Sequence, residues 1–190
     1  EGLRFTGKYV LLGMKVGGRV IADAGLLWQQ HTLDDAYPDF TGSAVNLRSA
    51  LVQLAGSFGP DIVFNLQGVF APITRGFNDA FVVFQEIPYV AHLRLGIGQQ
   101  PFSMENLTSF KFIPFMERSI VNAVAPGRSF GALINNNFLE RSVSLAAGIF
   151  YRSATWEDFD FDSSKGIDFS ARLSSLPVVL DDTTLMHAGI

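Results

Sequence analysis

Sorted by strand parity, six cationic side chains fall on the polar side of the alternating stretches of this sequence: Lys15, Arg19, Arg48, Arg94, Arg152 and Arg172. Three acids, Asp23, Asp79 and Asp168, share that side, so it carries six positive charges against three negative although the whole chain is at −4. The chemistry open to such a face is electrostatic. A guanidinium presents a fixed fork of N–H donors and a charge that does not titrate away, which suits an anion shedding its water. The same residues could instead line a wet wall or pair with one another, and parity alone does not separate these uses. Three further cations, Lys111, Arg118 and Arg128, sit in one long connection with Glu105 and Glu117, which could brace it.

Covalent and metal chemistry find little to work with. There is no Cys, no zinc-binding His-Glu-x-x-His, no Gly-x-Ser-x-Gly and no phosphate-cradling P-loop. The histidines His31, His92 and His187 are scattered, and His92 reads as a wall residue rather than a base. The run Asp158-Phe159-Asp160-Phe161-Asp162 lacks the Gly at the sixth loop position (Ser163) and the Glu at the twelfth (Phe169), so it is no EF-hand. A solvated acidic loop describes it better. No enzyme activity, cofactor, metal or nucleic-acid partner is expected.

The elements that must position these charges have period 2. Residues 167–174 alternate Ile167, Phe169, Ala171 and Leu173 with Asp168, Ser170, Arg172 and Ser174. Residues 142–152, 91–98 and 14–28 behave alike, and pleat geometry sends the two sets to opposite faces of a strand. Residues 62–70, 77–85 and 129–135 add three more strands. Residues 45–57 fit less well, because their parity inverts near 52–54, where a β-bulge is expected. That makes eight strands between residues 14 and 174, with a ninth starting near Thr183.

Tight turns are expected at Phe58-Gly59-Pro60-Asp61, Glu86-Ile87-Pro88-Tyr89 and Asn135-Asn136-Asn137. The links between them, about 29–44, 71–76, 99–128 and 153–166, are longer, so short and long connections tend to alternate. Outer-membrane barrels have that rhythm, with short turns at one rim and longer loops at the other. Composition agrees: 48% of residues are hydrophobic, 17% are charged and mean hydropathy is +0.25. Yet no apolar run approaches the roughly 18 residues of a membrane-spanning helix. The fold expected is all-β, an antiparallel transmembrane β-barrel wall over 1–190, in part only, since both ends read as cuts. Outer-membrane lipid is then a partner.

The most specific text lies in 96–131. Pro101-Phe102-Ser103-Met104-Glu105-Asn106-Leu107-Thr108-Ser109 is followed by Phe115-Met116-Glu117-Arg118 and by Ala125-Pro126-Gly127-Arg128. This order resembles the phosphate-selective porin O and P family, in which a strand ending near a Gly (here Gly96) leads into Pro-Phe-x-x-Glu-x-Leu-Thr-Ser. Asp79-Ala80-Phe81 resembles the preceding strand. The resemblance covers roughly residues 14–174.

It implies an outer-membrane barrel of about sixteen strands, assembled as a homotrimer in the bacterial outer membrane. It further implies passive diffusion of phosphate, polyphosphate or other small anions, with the third long loop, here 99–128, folded into the pore. Lys111, Arg118 and Arg128 would border the constriction. The family often places Lys before the Pro-Phe pair; Gln99 and Gln100 stand there in this chain, which predicts a weaker phosphate preference. Two other readings compete: a structural or adhesive barrel without ion selectivity, and a soluble β-sandwich binding protein.

Overall fold

The alternation resolves into one antiparallel sheet. The computed structural model describes residues 3–6, 12–27, 42–70, 75–115, 117–139, 142–151, 166–179 and 185–190. Among them ten strands follow one another: β1 Leu3–Thr6, β2 Leu12–Leu27, β3 Gly42–Phe58, β4 Ile62–Phe70, β5 Arg75–Ile87, β6 Ala91–Gln99, β7 Arg128–Phe138, β8 Val143–Tyr151, β9 Ile167–Val179 and β10 Leu185–Gly189. Each pairs with its neighbour in sequence, so the order is a plain meander. The sheet is open, with β1 and β10 as its two edges. Among the described residues no helix is long and apolar enough to cross a membrane. This all-β wall is consistent with a fragment of a β-barrel.

Three details differ from the pattern read in the sequence. The strand β1 precedes the first one expected. The run Asn135-Asn136-Asn137 is no turn: it lies inside β7, where Asn135 stands opposite both His92 and Ala146, and the Ser142 N–H donates to the Leu139 carbonyl, at 2.9 Å, beyond the strand's end. Ladders to two neighbours outweigh the turn preference of Asn, and Leu139, at φ 50°, takes the left-handed step instead. The bulge in β3 is real but lies upstream of 52–54. Ile21 faces Ser49 and Ala22 faces Leu47, which leaves Arg48 as the extra residue. Val45 and Leu47 therefore share a face with Val52, and the inverted parity is the bulge seen in sequence.

Because directly opposed residues of paired strands share a face, the register assigns every described strand residue to one of two walls. Leu93, Leu95 and Ile97 of β6 lie with Val143, Leu145 and Ile149 of β8 and with Phe169 and Leu173 of β9. Phe169 is 77% exposed and Ile149 52% exposed. Apolar side chains left in the open along a whole wall fit a lipid-facing surface. Arg94 and Arg172 lie on the opposite, inner wall with Lys15, Arg19, Asp23, Asp79 and Asp168, on the register above. Arg152, His31 and the acidic run 158–162 fall outside the described residues.

One row across the inner wall shows how it stays smooth. Phe81, Gly96, Gly131, Phe150 and Asp168 are successive partners on β5 to β9. The Phe150 ring lies against Gly131 and Gly148 and is 1% exposed; a Cβ on Gly131 would meet that ring at 2.7 Å and the Ile149 carbonyl oxygen at 2.2 Å. Gly96, at φ +126°, is crowded by backbone instead: a Cβ there would meet the Ala80 carbonyl oxygen at 2.3 Å and Phe81 Cα at 2.8 Å. An aromatic ring packed against two glycines covers backbone that would otherwise be exposed.

The two walls should differ sharply in tolerance to charge. Ile149→Arg places a guanidinium on the outer wall, and we expect it to cost about 2–4 kcal/mol if it sits near the bilayer midplane. Ser174→Arg, on the inner wall, should cost under about 1 kcal/mol. Urea titration of folding into lipid vesicles, read by heat-modifiable gel migration, measures both.

Candidate functional site

The connection between β6 and β7 is the one long link the structure describes almost throughout. It folds back over the inner wall as a short helix, α1 (Met104–Leu107), and two 3-10 turns, Phe110–Phe112 and Ile120–Ala123. Its neck is closed by polar groups with little exposure. The Gln100 amide N–H donates to the Gly127 carbonyl at 3.3 Å, and its side chain donates to Ser129 Oγ at 3.1 Å. Asn106, 6% exposed, donates Nδ2 to the Pro126 carbonyl at 2.9 Å, while Gln99 Nε2 donates to the Asn106 carbonyl. The two glutamines standing where the family often has Lys are therefore tie-points of the neck.

Beyond the neck, two charged residues stitch the limbs of the loop together. Glu105 accepts from the backbone N–H of Ser119 at 2.7 Å and from the Ser119 hydroxyl. Those bonds, the hydroxyl's first, hold its carboxyl below the usual glutamate range, and the charge of Arg118 adds to them. Arg118 donates Nε to the Glu105 carbonyl at 3.1 Å and Nη2 to the Thr108 carbonyl at 2.7 Å. Its guanidinium lies 4.3 Å from the centroid of the Phe110 ring. Burial, then the nearness of Arg128 and Arg19, pulls its pKa down, against the support of Glu105 and Glu117. An arginine crowded by two others stays charged, so the crowding describes a field that favours an anion.

The loop meets the wall at three places. Arg128, where β7 begins, donates Nε to Asp79 of β5 at 2.9 Å. Arg19 of β2 also reaches Phe110, 5.6 Å from the ring centroid, and its Nε has no hydrogen-bond partner among the described residues. Arg48, the bulged residue of β3, binds Asp23 of β2 through Nε and Glu117 of the loop through Nη1, the latter at 3.2 Å. Between loop and wall lies a cleft of about 630 Å³. Its lining includes Arg19, Arg48, Lys111, Arg118 and Arg128 against one carboxylate, Asp79. The partly apolar floor, Leu51 opposite Val69, is buried.

Of the cations singled out in the sequence, the fold thus brings two wall residues, Arg19 and Arg48, together with all three of the loop. It leaves Lys15, Arg94 and Arg172 apart. Lys15 is exposed opposite Ala55, and Arg172 stands opposite Ala146 towards the short-turn rim. Arg94 is occupied locally, stacked 5.4 Å from the Phe81 centroid and donating Nη2 to the Gln99 carbonyl. The sequence offered no sign of Phe110, one of eighteen Phe, nor of Asn106. Both matter only because the loop closes on itself.

The lowered pKa of Glu105 makes the stitch pH-dependent with a definite sign. A carboxylate whose folded value is depressed contributes its stability above the unfolded value, about 4.3, and loses it as pH falls through the folded one. Protection of the Ser119 amide from hydrogen exchange, relative to its intrinsic rate, should therefore be full near neutrality and fall in acid below that range. Glu105→Gln should lower the protection near neutrality and remove its pH dependence.

Comparison with known proteins agrees with this architecture. A search of curated proteins returned no match. The model of one family, described as phosphate-selective porin O and P, matches residues 14–190, which takes in β2 from Met14 on, β3 to β10 and the whole β6–β7 connection. The chain belongs to the phosphate-selective porin O and P family.

Proposed function

We propose that this chain forms part of a bacterial outer-membrane channel for passive diffusion of anions, phosphate among them, with the segment 99–128 as its constriction. The observation that carries this reading is the cleft between loop and wall, where Arg48 is bound by Asp23 and Glu117 and the described lining as a whole sets five cationic side chains against one carboxylate. That carboxylate is engaged by Arg128. An anion about 4 Å from one guanidinium gains on the order of 4 kcal/mol at an effective dielectric of about 20, against about 1 kcal/mol in bulk water. A narrow passage with a partly apolar floor moves the local value towards the former. Lys15, Arg94, Arg172 and, by sequence parity, Arg152 extend positive charge along the inner wall. Assembly as a homotrimer and closure by further strands to about sixteen follow from the family resemblance alone.

Phosphate preference in this reading is weaker than the family pattern implies. The positions before Pro101 carry amides, and both are spent on the loop's neck. The channel therefore relies on arginine forks rather than an extra ammonium to hold an oxyanion.

Planar-bilayer recording of the channel purified from outer membranes tests this. A reversal potential across a chloride gradient should show anion preference, and added phosphate should reduce the chloride current. Lys111→Gln removes a charge whose ammonium is exposed, and Arg19→Gln removes one on the wall. Each should lower anion preference and raise the phosphate concentration for half-block about two- to ten-fold, equivalent to about 0.4–1.4 kcal/mol. A cation-selective reversal potential in the unaltered channel would leave a barrel of structural or adhesive use, and this reading would fall.

A further inference from the structure

The two interruptions of the ladder next to the cleft coincide with the two places where the wall holds the loop by charge. In β3 the extra residue is Arg48 itself, which binds Glu117. In β5, Gln67 faces Asp79 and Gly68 faces Phe77, so Asn78 is the extra residue, immediately before the Asp79 that binds Arg128. A bulge turns its side chain out of the regular pleat and is a common way of re-aiming one residue. The two docking points differ in kind. Arg128–Asp79 lies at the foot of the loop, next to the hydrogen-bonded neck. Arg48–Glu117 joins the far limb to a strand three places further along the sheet, and among the described residues it is the one ion pair that does so.

Arg48 is also poorly suited to act mainly as an anion ligand. It is 19% exposed at the side chain, and carboxylates of Asp23 and Glu117 both bind it. Asp23 fixes the guanidinium from within the sheet, which leaves Nη1 directed at the loop. Glu117, by contrast, is 72% exposed, and the adjoining Arg118 is anchored to loop carbonyls and to the Phe110 ring. A force on Glu117 is thereby transmitted to the limb that carries Arg118, and through Phe110 to the face of Arg19.

Resting on the anion-channel reading above, we propose that Glu117 is a positioning residue for selectivity: it latches the constriction loop to Arg48 and so sets the width of the passage and the spacing of Arg19 and Arg118. The latch and the bare charge of Glu117 predict opposite signs. As a negative charge near the cleft, Glu117 repels anions, and its removal should tighten phosphate binding. As a latch, its removal lets the far limb swing from the wall, separates the cations, and weakens phosphate binding although the site has become more positive.

The test is Glu117→Gln in the channel purified from outer membranes, with chloride current, its block by phosphate and open-channel noise recorded in planar bilayers. The variant is nearly isosteric, and heat-modifiable migration checks that it folds. The expected result is a half-blocking phosphate concentration raised about two- to five-fold, the range of a partly exposed ion pair, with larger open-channel noise. Glu117→Asp, which keeps the charge but shortens the reach, should shift block in the same direction by less. Block that is unchanged or tighter in Glu117→Gln would overturn the latch. Failure of the anion-channel reading would be recognised separately, as absence of anion preference or phosphate block before any substitution is made.

Discussion

In a hydrocarbon layer no water is present to satisfy backbone N–H and C=O groups, and each one left unpaired costs several kcal/mol. A chain without long apolar helices can meet that demand only by a continuous ladder between strands. The meander from β1 to β10 is such a ladder, and most of the structure depends on it. Strand pleat forces side chains alternately to the two walls, so one wall can be apolar and the other charged with no loss of hydrogen bonding. Gly96 and Gly131, the latter under the buried Phe150 ring, then keep the inner wall close-packed.

That ladder is also a constraint on function, because a perfectly regular wall aims its side chains on a fixed lattice. Besides irregularities in the β5–β6 and β9–β10 pairs, the bulges at Arg48 and Asn78 are where the described strands depart from it. Each lies beside a contact with the β6–β7 connection, and neither interrupts pairing beyond one residue. The arrangement places rigid strands behind the loop's anchoring charges, with Leu51 and Val69 as a packed floor beneath. An ion pair in the open contributes little, but one set on a fixed strand and a stitched loop loses less side-chain entropy on forming.

The arginines at the cleft divide their donors between structure and field. Arg118 spends N–H groups on two loop carbonyls, and Arg128 spends Nε on Asp79, yet both keep their full charge. Arg suits this double use because its fork has five donors and its charge persists whichever of them are occupied. A lysine in the same places would have to choose between holding the loop and facing the passage. Phe110 adds an unpolarised partner, accepting Arg19 and Arg118 on its ring and so holding two like charges closer than they would otherwise settle.

Period-2 alternation determined a good deal from the sequence alone. It located nine of the ten strands, put Leu93, Leu95 and Phe169 on one wall and Arg94 and Arg172 on the other, and betrayed the β3 bulge by a change of parity. These features are legible because pleat geometry is local: each residue's face follows from that of its neighbour. The family motifs in 96–131 were equally local text. What only the tertiary structure decided was which charges meet. Arg19, Arg48 and Asp79 are far apart in sequence and lie on three strands, and the β6–β7 connection brings Phe110, Glu117 and Arg128 to them. Nor could sequence say that Gln99 and Gln100 would be spent closing the neck, or that Asn135 would continue a strand. Such choices turn on how a long loop closes over the wall, and they depend on partners many residues away whose contribution no local pattern records.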